Sequence, residues 1–158
     1  MELKSDLLNT LQGEDDLGVV IRSHIIVEQY LNKIIESKLE SIAHYKKIKL
    51  DYHDTIKLAI SLGLDSRLEK PLNALGTLRN DFAHNLRPVI SAQDVNNLYA
   101  CLGENDKKVL QVSLDKTRKQ LPESGISKYQ GLEPKDKYIL IAIVLCGALE
   151  LVCKKIPN

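Results

Sequence analysis

Three side chains that suit phosphate chemistry lie within six residues of one another: Arg79, Asn80 and His84. An α-helix turns about 100° per residue, so Asn80 and His84 share a face, and the Asn oxygen can accept from one imidazole nitrogen. Arg79 lies roughly 140° from His84 around the same helix, and its long side chain must bend to approach the ring. A guanidinium binds phosphate through two parallel hydrogen bonds, and an imidazole exchanges protons near neutral pH. The three residues therefore form the candidate site.

The sequence patterns around this site predict that helices position it. Apolar residues recur at helical spacing from Leu17 to Leu39, and Asp51 is suited to cap a helix over Tyr52–Leu62. The helix that carries the motif follows, and its polar start lies near Asp65.

His24 and Glu28 lie four residues apart inside the first apolar stripe. One interpretation is a polar pair whose hydrogen bonds are satisfied within the helical bundle. The other is that Glu28 reaches across to the motif helix and orients Arg79 or His84. The sequence leaves both interpretations open.

The C-terminal third is also helical in pattern. Ser91–Asp94 resembles a capping box, and Pro134 is suited to the first turn of a last helix. Residues 138–149 are apolar or Gly throughout, which is too short for a membrane span of about 20 residues. A helix that is apolar on all sides is buried, and we favour a central core helix over a subunit interface.

These patterns predict an all-α fold, an up-and-down bundle of about five to seven helices. We expect a single domain over residues 1–158, with a motif-bearing core at about 15–102 and C-terminal helices at 104–156 that pack on it.

Composition limits the class of protein. The 158 residues carry 22 Lys and Arg against 21 Asp and Glu, a formal net charge of +1, which argues against a protein that coats duplex DNA. Three cysteines with no C-x-x-C pair favour a reducing compartment. With no evident signal peptide, we expect a cytoplasmic protein with no membrane partner.

The four histidines lack the spacing of metal ligands, and the glycines are scattered singly, so we expect neither a metal site nor a cofactor. A Lys-rich connection follows the first long helix. It is either a solvated face or a rim that attracts phosphate, in which case Lys46 and Lys47, together with Arg87, are candidate phosphate contacts.

The sequence Arg-Asn-x-x-x-His at residues 79–84 resembles the R-x4-6-H motif of the HEPN superfamily of small helical domains. The closer resemblance, over about residues 15–102, is to its mannitol-operon-repressor-like branch. It rests on an apolar helix with an internal Glu (Ile21–Ile35 with Glu28), the segment Lys57–Gly63, and Leu75–His84. One departure is that the Arg usual one turn before the motif is replaced here by Leu75 and Gly76.

The resemblance implies cleavage of single-stranded RNA without a metal. The substrate's own 2′-hydroxyl would attack the adjacent phosphorus, His84 would transfer protons, Arg79 would stabilise charge on the phosphorane, and Asn80 would hold the imidazole. Because one chain supplies one such His, the resemblance also implies a homodimer that sets two motifs against each other.

The alternative is that the same residues are structural. Arg79 would then pair with Glu28, and the chain would be an inactive regulator of transcription or an interaction module with a regulatory protein partner, as proposed for the mannitol-repressor-like branch. Direct reading of DNA is less expected, because no basic recognition helix stands out.

Overall fold

The described chain is helical throughout. A computed structural model describes residues 2–85, 87–120 and 129–157. Within them lie eight α-helices and no strand: α1 (Glu2–Gln12), α2 (Asp16–Glu36), α3 (Ile42–Tyr45), α4 (Tyr52–Ser61), α5 (Glu69–Asn85), α6 (Ala92–Ala100), α7 (Glu104–Gln120) and α8 (Pro134–Lys154). The all-α prediction is confirmed.

The predicted number of helices was too low, because the Lys-rich connection contains the separate single turn α3. Its last residue, Tyr45, is buried, and the Tyr45 hydroxyl donates to Oδ1 of Asn32 on α2 at 2.9 Å. A buried aromatic ring with its hydroxyl satisfied holds this turn against α2.

Local hydrogen bonds set the ends of the predicted helices. The Asp51 carboxylate accepts from the Asp54 backbone N–H at 2.8 Å and caps α4. Ser91 and Asp94 form a reciprocal capping box at the start of α6. Gly63 has φ of 110°, a left-handed conformation that glycine adopts without steric cost, and it ends the α4 segment.

The last helix is the centre of the core. From Tyr138 to Leu149, α8 is buried at every position except Ala148, and the helix packs against α1, α2, α6 and α7. The hydroxyl of Tyr138 lies 2.7 Å from Oγ of Ser23 on α2, so the one polar group on this buried ring is hydrogen-bonded. In the described ranges, no helix is both long and apolar enough to cross a membrane.

Three helices position the candidate site, since α2, α4 and α5 each pack against the other two. Helix α5 begins through a 3₁₀ turn, Ser66–Leu68, that is capped by the Asp65 side chain. Its buried face comprises Leu72, Leu75, Leu78 and Phe82, together with Pro71 and Gly76. That burial leaves the polar end of α5 at the surface.

Candidate functional site

The motif residues occupy the last two turns of α5. Asn80 and His84 are exposed and Arg79 is half-buried. The Arg79 guanidinium donates from Nη1 to Oδ1 of Asn80 at 2.9 Å. Among the described residues, His84 makes no hydrogen bond or ion pair. The amide oxygen of Asn80 thus serves Arg79 rather than His84, because the long Arg side chain bends back over its neighbour.

The charge of Arg79 acts across the helix interface on α2. It lowers the pKa of His24, and it opposes the rise that burial imposes on the pKa of Glu28. The backbone N–H of Ile90 donates to Oδ2 of Asp16, at the start of α2. Helices α2 and α5 therefore run antiparallel, and the structure brings Glu28 close enough to Arg79 for their charges to interact. Among the described residues no salt bridge joins the two.

His24 is buried at this junction. Its Nδ1 lies 3.5 Å from Oε2 of Glu28, and its ring centroid lies 4.3 Å from that of Tyr52 on α4. Burial, with smaller contributions from the positive charges of Arg79 and His53, lowers the pKa of His24 to about 4. The imidazole is therefore neutral at pH 7, and its long contact with Glu28 is a polar contact rather than an ion pair.

Tyr52 explains why glycine stands at position 76. The ring of Tyr52 lies against the backbone of α5 at Gly76, and its hydroxyl donates to the Leu72 carbonyl at 2.8 Å. A Cβ at position 76 would overlap with Cε1 and Cδ1 of that ring. The space one turn before Arg79 is therefore filled by an aromatic ring from α4.

A second histidine joins α4 to α5. Nδ1 of His53 lies 2.5 Å from Oδ1 of Asn73, so Nδ1 carries the proton and the amide fixes the ring orientation. The sequence predicted such an Asn–His pair within α5, but the structure forms it between helices. No local pattern indicates the pair of His53 and Asn73, because the two residues lie 20 positions apart.

The basic residues named as candidate phosphate contacts differ in their surroundings. Lys46 and Lys47 are exposed just after α3, and Nζ of Lys46 lies 3.5 Å from Oε1 of Glu36. The Arg87 guanidinium donates from Nη2 to Oδ2 of Asp94 at 2.5 Å, and its Nη1 lies 3.8 Å from Oδ2 of Asp81. The charge of Arg87 is thus balanced within the chain, and phosphate contacts from these three residues stay predictions.

Comparison of the chain with protein-family models, curated proteins and solved structures gave no match. The arrangement of the site must therefore be interpreted from its own chemistry. The site comprises the half-buried guanidinium of Arg79, the exposed imidazole of His84 further along α5, and the buried, neutral imidazole of His24, which contacts Glu28. In the described part of the chain, no group of three or more His, Cys, Asp or Glu residues is placed to hold a metal ion.

The depressed pKa of His24 predicts an acid-sensitive fold. Below pH 6.5 the unfolded chain binds a proton at His24, whereas the folded chain does so only near pH 4. Stability contributed by this residue is therefore complete above pH 6.5 and falls as the pH drops to 4, by up to about 3 kcal/mol.

Urea unfolding between pH 7 and pH 4 measures this loss. We expect His24→Gln to flatten the pH dependence of the free energy of unfolding, while His44→Gln, which replaces an exposed histidine, keeps the wild-type slope. Identical slopes for wild type and His24→Gln would show that His24 does not stay neutral in the folded chain.

Proposed function

We propose that this protein is a HEPN-type RNA-binding protein that cleaves single-stranded RNA at Arg79 and His84 without a metal. One observation carries the proposal. On the last two turns of α5, the Arg79 guanidinium is hydrogen-bonded to Asn80, while His84 is exposed and without a partner among the described residues. Neither functional group is sealed in the core. The two residues are five positions apart, which is about 7.5 Å along the helix axis.

The chemistry needs only these groups and the substrate. The 2′-hydroxyl attacks phosphorus, its proton passes to an imidazole, and the P–O2′ bond forms as the P–O5′ bond breaks. A second proton goes to the departing 5′-oxygen, which leaves a 2′,3′-cyclic phosphate and a 5′-hydroxyl. Negative charge grows on the phosphorane oxygens, where the two N–H groups of a guanidinium stabilise it more than in the ground state.

A homodimer completes this scheme, because one imidazole must accept a proton while another donates one. A two-fold axis close to α5 would set two copies of His84 on either side of the phosphate. Exposed apolar residues on the neighbouring helix α2 support a self-association surface there: Leu17 is 43% exposed and Ile25 is 46% exposed. The two residues lie eight positions apart on α2, which is about two helical turns.

A second candidate function has support from Arg79 itself. Its charge acts on the half-buried Glu28 and on the buried His24, so the residue also contributes to how α2 and α5 pack. A purely structural Arg79 would fit an inactive, mannitol-repressor-like regulator or an interaction module.

Matched histidine variants separate the two functions. We expect His84→Ala to lower the rate of RNA cleavage by about 100-fold or more, the usual contribution of a general acid or base. His44 on α3 is also exposed, and its Nδ1 lies 2.6 Å from the hydroxyl of Ser41. Because His44 is not part of the candidate site, His44→Ala should retain full activity. Both variants should keep the wild-type unfolding midpoint, because neither side chain is in the core. Equal activity of the two variants, or no cleavage by wild type, would favour the regulator.

A further inference from the structure

An open groove of about 510 Å³ lies between α2 and the segment that joins α3 to α4. Its α2 wall carries Glu28, Asn32 and Glu36, at successive turns of the helix. This volume falls within the range of about 300–1,000 Å³ that is typical of small-ligand sites. Glu28, at one end of the groove, also interacts with the charge of Arg79 on α5.

The α2 wall carries a row of hydrogen-bond acceptors. Asn32 is held in place, since its Nδ2 donates to the Glu28 carbonyl at 2.9 Å and its Oδ1 accepts from the Tyr45 hydroxyl at 2.9 Å. The carboxylates of Glu28 and Glu36 lie one turn of α2 before and after Asn32, and an ionised carboxylate only accepts hydrogen bonds.

The opposite wall combines cations with an apolar surface. Lys46 lies 3.5 Å from Glu36, whereas Lys49 has no carboxylate partner among the described residues. Ile48 lies between them in sequence and is 59% exposed. A single-stranded nucleotide needs a cation for its phosphate, an apolar surface for its base face, and polar groups for its base edge. The groove provides all three.

We propose that this groove binds the nucleotide next to the scissile phosphate of single-stranded RNA, and that it selects a base with an amino group over uracil. Lys49 binds the phosphate, Ile48 contacts the base face, and the carboxylates accept from the amino group. Cytosine and adenine each offer an exocyclic amino group, and guanine does so as well. Uracil has no amino group, and its one donor on the same edge, N3–H, lies between two carbonyl oxygens that a carboxylate repels. The proposal rests on the proposed function for the nature of the ligand, but binding does not require cleavage.

Oligonucleotides that cannot be cleaved test the groove alone. Fluorescence anisotropy with 2′-O-methyl hexamers of cytidine, adenosine or uridine, each across a range of salt concentrations, gives both affinity and salt dependence. We expect cytidine and adenosine hexamers to bind about five-fold or more tightly than uridine, the discrimination of a good base-edge contact. Glu36→Gln should reduce the ratio of the affinity for cytidine or adenosine hexamers to the affinity for uridine hexamers.

Lysine variants locate the phosphate contact. Removing one contact to a single strand lowers the slope of log affinity against log salt by about 0.7, which we expect for Lys49→Gln. Lys108→Gln removes the same charge from an exposed position on α7 and should leave the slope unchanged.

Several outcomes would overturn the proposal: uridine bound as tightly as cytidine and adenosine, equal slopes for the two lysine variants, or a hexalysine peptide bound more tightly than any hexamer. The proposed function can fail separately. If the hexamers bind as expected while wild type leaves unmodified RNA intact, the groove stands and cleavage is refuted. Cleavage that depends on His84, with no effect of Lys49→Gln on the slope, refutes the groove alone.

Discussion

Gly76→Leu is expected to destabilise the protein by about 1–3 kcal/mol, because the new side chain must occupy the space of the Tyr52 ring. That ring has little freedom to move, since its hydroxyl bonds the Leu72 carbonyl and its face lies against His24. Helix propensity alone predicts the opposite sign, since replacing an interior helical Gly by Leu stabilises a helix by roughly 0.5–1 kcal/mol. The sign of the change in the free energy of unfolding, measured in urea, therefore decides between the two effects.

A double-mutant cycle assigns the cost to this contact. In a Tyr52→Leu background the same substitution at Gly76 should cost at least about 1 kcal/mol less, because the ring is gone. Gly13→Ala is the control, since a Cβ there meets only ordinary contacts at 3.8 Å. Strict additivity of the Tyr52 and Gly76 substitutions, or a stabilised Gly76→Leu, would contradict the packing described here.

Arg79→Ala is expected to lower the rate of RNA cleavage by about 100- to 1,000-fold, the usual effect of removing a group that stabilises transition-state charge. Arg79→Lys should recover only part of the rate, because an ammonium keeps the charge but loses the planar fork. In the structure, Nη1 of the Arg79 guanidinium donates to Oδ1 of Asn80, and the other N–H groups of the guanidinium are left to donate to a phosphate. Cleavage rates measured with substrate well below KM and at saturation separate a loss of substrate binding from a loss of catalysis.

The same variant has a readout that does not depend on RNA. The positive charge of Arg79 helps to hold the pKa of His24 near 4, so Arg79→Ala should raise that pKa in an NMR titration. Arg22→Ala is the matched control, since Arg22 is an exposed arginine whose Nε pairs with Oε1 of Glu14 at 2.6 Å. If Arg79→Ala and Arg22→Ala cleave RNA at the same rate, the role of Arg79 is structural.

The features that the sequence predicted correctly are those set by neighbours along the chain. The Asp51 cap of α4, the Ser91 and Asp94 capping box and the Pro134 start of α8 each depend on residues within four positions of one another. The apolar run of α8 likewise allowed only a buried helix. Local signals of this kind do not require knowledge of the tertiary fold.

The contacts that shape the candidate site are tertiary, and the sequence did not reveal them. The Tyr52 ring packs on Gly76, which lies 24 positions further along the chain. The histidine that pairs with an Asn side chain is His53, with Asn73, rather than His84 with Asn80. The Lys-rich connection gained the helical turn α3 because a distant Asn32 accepts from Tyr45. The positions of Arg79 and His84 on α5 followed from helical periodicity, whereas the groove between α2 and the segment that joins α3 to α4 did not.

The most direct test of the central claim is the identity of the product ends. Purified wild-type protein is incubated, with chelator present, with a single-stranded RNA and with the same sequence made entirely of 2′-deoxynucleotides. Attack by the 2′-hydroxyl predicts that only the RNA is cut and that the products carry 2′,3′-cyclic phosphate and 5′-hydroxyl ends, seen by mass spectrometry. Cleavage of the deoxy strand, products with 5′-phosphate ends, or intact RNA after prolonged incubation would contradict the account.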